Sequence, residues 1–78
     1  MPVILRLGPY RFFFYSMDGR EPPHVHVERD AAAAKFWLRP VRLARSREFR
    51  PQELRRIAAL VEKNETAILE AWHDNFPD

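Results

Sequence analysis

There is no cysteine among the 78 residues, which removes disulfides and thiolate metal ligands together. Long apolar runs are missing too: nothing approaches the roughly 18 residues of a membrane span, so no membrane partner is expected. The opening "MPVILRLGPYRFFFYS" lacks a basic n-region, and Arg6 and Arg11 interrupt it, so it does not read as a secretory signal. A cytoplasmic setting is the natural expectation. Glycine occurs twice, in the turn-forming pairs Gly8-Pro9 and Asp18-Gly19. Lysine is nearly absent: Lys35 and Lys63 stand beside eleven arginines.

What remains is a chain built to fold. An apolar fraction of 46% with two Trp, two Tyr and six Phe argues against disorder. The length supports one domain over residues 1–78, near the size where one core just suffices. Net charge is only +2 but uneven. Arg39, Arg42, Arg45, Arg47, Arg50, Arg55 and Arg56 are opposed locally by Glu48 and Glu53 alone, whereas residues 57–78 are acidic. Arginine suits planar contact with phosphate or carboxylate, so Arg39, Arg42, Arg45 and Arg47 are candidate binding residues for nucleic acid or an acidic protein. A merely solvated arginine-rich surface fits the same composition.

Periodicity gives an outline. Val3–Leu7, Tyr10–Ser16, His24–Arg29, Ala33–Arg39 and the short "VRLAR" read as strands, the last with Val41 and Leu43 on one face. From Pro51 the period lengthens: Leu54, Ile57, Ala58, Val61, Ile68, Leu69 and Trp72 form one helical stripe. Pro51 suits the first helical position. The expected fold is α+β: an antiparallel sheet of four to five strands over about 3–45, with one long helix over about 51–73 on one face. Glu65 falls inside the apolar stripe. Either the helix outruns the sheet there, or Glu65 pairs with an arginine from the sheet.

The segment "EPPHVHVERD" holds two of the three histidines. Strand parity puts His24, His26 and Glu28 on one face and Val25 and Val27 on the other. The valines belong against the helix, which leaves the polar trio on the open face. Trp37 and Tyr15 fall in alternating sets that could share that face. Three readings stay open. His-x-His makes His24 and His26 weak metal candidates, but no third ligand is evident, so no cofactor is expected. Alternatively His24 and His26 are a general acid–base pair acting on a phosphodiester without metal, with Tyr15 and Glu28 as further catalytic candidates and arginine stabilising charge. The blandest reading is two strand histidines satisfied by hydrogen bonds.

"YRFFFYSMDGREPPHVHVE", "AKFWL" and "ELRRIAALVEKNETAILEAW" together resemble the small prokaryotic proteins of the domain of unknown function 4160 family, over nearly the whole chain. The most specific portion is Pro22-Pro23-His24-x-His26 after an aromatic strand and Asp18. The resemblance implies a small protein partner encoded nearby, in a toxin–antitoxin-like pair with this chain on the toxin side, and an activity directed at RNA. Where some members carry a helical histidine this chain has Asn64, so a three-histidine set is not expected. The alternative is a non-catalytic module that binds a partner or nucleic acid, RNA or DNA, through the arginine segment. Homo-oligomers through a sheet edge or the open face are a further expectation.

Overall fold

The computed structural model describes residues 3–77. Five strands form one antiparallel meander in chain order: β1 (Val3–Leu7), β2 (Tyr10–Phe13), β3 (His24–Arg29), β4 (Ala32–Trp37) and β5 (Arg42–Arg47). Two helices follow, α1 (Pro51–Lys63) and α2 (Glu65–Asn75). The α+β class and the sheet are as the sequence implies. The single long helix is not: the chain breaks at Asn64, with φ −109° and ψ 15°. Where α1 ends, Asn64 donates both its backbone N–H and its side-chain amide to the Leu60 carbonyl, at 3.1 and 2.8 Å.

The break explains Glu65. Its carboxylate accepts the backbone N–H of Arg39 in the β4–β5 connection at 3.0 Å, a main-chain contact in place of the ion pair with a sheet arginine that the sequence allowed. Arg39 has φ +57° and its guanidinium donates to His73 Nε2 at 3.0 Å. That residue therefore fastens the connection to α2.

The core lies between the helices and one sheet face. Phe12, Val25, Val27, Ala34 and Phe36 pack in one buried cluster with Ile57, Val61, Ile68 and Trp72. Burying such side chains stabilises by about 1.5–3 kcal/mol each, which is what holds a domain this small. At the far rim, Glu53 accepts hydrogen bonds from Arg29 Nε and Nη2 at 2.8 and 2.9 Å and from the Tyr10 hydroxyl at 2.8 Å. No helix among the described residues is long and apolar enough to cross a membrane.

Two bulges decide what the other face carries. Pairing steps from Lys35↔Arg45 to Phe36↔Leu43, so Ala44 is the extra residue. Cross-strand partners share a face, and Trp37 pairs with Arg42, Lys35 with Arg45, Ala33 with Arg47. Strict alternation would separate Arg42 from Arg45 and Arg47. The bulge puts all three on the open face and Leu43 opposite Phe36 on the helix side. Val41 lies outside β5, so it does not pair with Leu43 as a strand face. The shift between Val3 and Leu5 likewise brings Arg6 beside Arg11.

Candidate functional site

The register writes the open face as three rows. His24, Trp37 and Arg42 form the first; Phe13, His26, Lys35 and Arg45 the second; Arg11, Glu28, Ala33 and Arg47 the third. The parity expected for His24, His26 and Glu28 thus describes real neighbours, and Trp37 joins them. Among the described residues Arg42, Arg45 and Arg47 have no ion pair, whereas Arg11 bridges Glu28 at 2.7 Å. Glu28 is therefore a partner of arginine.

Part of this face is roofed by residues 14–23, which include a short 3-10 turn at Asp18–Arg20. The roof is held by local chemistry. The Tyr15 N–H donates to Asp18 Oδ2 at 2.7 Å, and the Asp18 N–H donates to the Tyr15 carbonyl at 3.0 Å. Gly19 lies against Phe76: a Cβ there would come within 2.7 Å of the ring, so close approach demands glycine. Pro22 and Pro23 then deliver the chain stiffly into β3.

Beneath the roof, Asp18 meets both histidines. His26 Nε2 donates to Asp18 Oδ2 at 3.0 Å. The His24 ring is fully buried, with Trp37 and Trp72 at centroid distances of 5.5 and 5.1 Å. Its Nδ1 lies 2.9 Å from the Pro22 carbonyl, which can only accept, so Nδ1 carries a proton. Its Nε2 is 3.1 Å from Asp18 Oδ1 but off the line of a hydrogen bond, and has no hydrogen-bond partner among the described residues. Burial raises the Asp18 carboxyl, yet the Tyr15 N–H and the two histidines outweigh it and hold the group below its ordinary 3.8. Burial also holds the His26 imidazole below 6.5, although Asp18 pulls the other way.

Lys35 is the other buried charge. Its ammonium donates to Glu21 at 2.7 Å and sits 4.5 Å from the Trp37 ring centroid. That pair holds the Glu21 carboxyl below its ordinary value. Beside it opens a recess of about 290 Å³, lined by Phe13, Tyr15, His26, Lys35, Arg45 and Arg47 among others. The Tyr15 ring, half exposed, is 4.6 Å from His26, and Phe13 stacks on His26 at 5.5 Å.

The structure therefore brings Tyr15, His26, Glu28, Arg45 and Arg47 to one recess, with His24 directly behind His26 at 5.1 Å between ring centroids. Arg39 is drawn away to α2. Asp18, Glu21 and Lys35 are the members that sequence reasoning missed as site residues. The aspartate has a turn signature, and nothing in its spacing tells that the loop folds back over β3.

No curated protein and no solved structure matches the chain. The family model described as Domain of unknown function (DUF4160) matches residues 10–73, a span that holds Asp18, both strand histidines, all of α1 and most of α2; the chain belongs to that family.

Proposed function

We propose that the protein is the toxin-side component of a toxin–antitoxin-like pair, binds a small protein partner, and acts on RNA through the open sheet face. The observation that supports this reading is the recess itself. It sets Arg45 and Arg47, which have no ion pair among the described residues, beside aromatic rings and an imidazole. Arginine on phosphate with bases stacked on aromatic rings is how single strands are held without strict sequence preference. His26 and Tyr15 stand at the reacting end; His24 has no exposed surface and reaches a substrate only through its neighbours.

The burial of His24 favours one second reading, a binding module without catalysis. Two measurements separate them. Expression without the partner arrests growth if the chain acts on RNA, and the arrest is relieved by His26→Ala in a folded protein. A short single-stranded RNA should bind with steep salt dependence. Arg45→Glu with Arg47→Glu should flatten the log–log salt slope by roughly 1.4, about 0.7 for each phosphate no longer neutralised. RNA binding without cleavage or arrest would leave the module; affinity unaffected by the arginine changes would remove the face from either reading.

A further inference from the structure

Asp18, His24 and His26 cluster with one candidate ligand atom each, and the third carboxylate or imidazole missing from the His-x-His spacing comes from the turn. One donor atom from each residue lies within 4.8 Å of the other two. Asp18 faces His24 Nε2 with Oδ1 at 3.1 Å and His26 Nε2 with Oδ2 at 3.0 Å, separations close to those between neighbouring ligands around an ion bound at roughly 2.0–2.2 Å.

The second, independent observation is His24. A histidine that ligates metal characteristically gives its other ring N–H to a carbonyl or carboxylate, which fixes ring and tautomer. His24 does this through Nδ1 and Pro22. In the neutral ring Nε2 is then a lone pair, fully buried, without a hydrogen-bond partner among the described residues, and set 3.1 Å from an oxygen of a carboxylate. Leaving a buried polar atom unmatched is unfavourable, and facing it toward negative charge adds to that. A cation between them turns both contacts favourable. Asp18 is fixed for the same task, since the Tyr15 N–H holds one of its oxygens.

Charge around the cluster agrees. Asp18 and Glu21 are acidic, and the one nearby ammonium, Lys35, is already engaged by Glu21. Two imidazoles and one carboxylate are a borderline donor set, suited to zinc-class first-row ions and poorly suited to magnesium or calcium. Three protein ligands leave a coordination position open. His26 lines the recess, so that position adjoins the space where a ligand would sit.

We infer that Asp18, His24 and His26 bind one zinc-class divalent cation per chain, held beneath the turn at the head of the recess. Ligation through His26 Nε2 requires the other tautomer, so the proton now donated to Asp18 passes to Nδ1 through solvent and the ring stays neutral. The inference stands on this cluster whether or not RNA is the ligand of the face.

The test uses the untagged full chain, stripped with chelator and titrated with zinc by calorimetry and with cobalt(II) by visible absorption. The expected result is one ion per chain, a cobalt spectrum of low coordination number with nitrogen ligands, and a higher melting temperature with zinc. Asp18→Asn should lower zinc affinity beyond the roughly 10–100-fold that changes outside the ligand set cost. His26→Gln, at a less buried position than His24, should do the same if Asp18→Asn does not fold. Arg45→Glu with Arg47→Glu should leave zinc affinity unchanged while abolishing RNA binding, which separates this proposal from the functional one. Absence of stoichiometric zinc, preference for magnesium, or zinc affinity indifferent to both ligand variants would overturn it.

Discussion

The Glu65 carboxylate accepts the backbone N–H of Arg39 at 3.0 Å, tying the start of α2 to the β4–β5 connection. Because the donor is main chain, the contact does not depend on the arginine side chain. Glu65→Ala is expected to destabilise by about 1.5 kcal/mol, the lower end for a hydrogen bond to a charged group. Glu65→Gln, which keeps an acceptor oxygen, should cost less. In urea titrations the midpoint should fall with an unchanged slope. Arg39→Ala should cost less than Glu65→Ala, since it removes only the His73 contact; the reverse order would place the stabilisation in the guanidinium.

A pH dependence follows from Glu53. Hydrogen bonds from Arg29 first, and then from Tyr10, hold its carboxyl below the ordinary 4.5. Between the folded and unfolded values the unfolded chain binds more protons, so stability rises with pH there. The contribution is fully present above about 4.5 and is lost as pH falls through the lower folded value. The stability gap between the native chain and Glu53→Gln should therefore be constant near neutrality and close on acidification. A gap that widened toward low pH would contradict the assignment.

Much of this was legible because parity is a local property. His24, His26 and Glu28 needed only the two-residue repeat of a strand to be placed together, and Val25 and Val27 to be placed in the core. What escaped depended on single residues that break a repeat. Ala44 is chemically unremarkable, yet as a bulge it moves Arg42 onto the face of Arg45 and Arg47. Asn64 lies at the edge of the apolar stripe, and its side chain joins its own N–H on the Leu60 carbonyl at the point where α1 ends. Asp18 is separated from His26 by a loop, and loop closure onto β3 has no periodic signal. The site was half visible for that reason: its strand residues have a pattern, and its loop residue has none.

Gly19 offers a check on the loop. A methyl group there meets the Phe76 ring at 2.7 Å, with Cγ at 3.1 Å. That ring is wedged against Trp72 and Phe14, at centroid distances of 4.5 and 5.8 Å, so it cannot easily give way. Gly19→Ala should destabilise by about 1–3 kcal/mol, as overpacking does. In a Phe76→Ala background most of that cost should vanish, because the two nearest ring contacts are gone. A double-mutant cycle measures this directly; additive effects would mean that Gly19 is needed for some reason other than the ring.

The arginines of β5 have a second consequence, because β5 is an edge of the sheet. An edge presents unpaired N–H and C=O groups to any other copy, and charged side chains are a common defence. Arg42, Arg45 and Arg47 are exposed along it and free of ion pairs among the described residues. Defence needs charge of either sign, whereas phosphate binding needs positive charge. Arg45→Glu with Arg47→Glu mixes signs along the strand beside Arg42 but keeps every position charged, so the chain should keep its native association state while losing RNA. Arg45→Thr with Arg47→Thr removes charge and raises strand propensity. It should lose RNA binding and also self-associate at high concentration, read by light scattering behind a sizing column. If the threonine variant keeps the native association state and full RNA affinity, the arginines serve neither purpose.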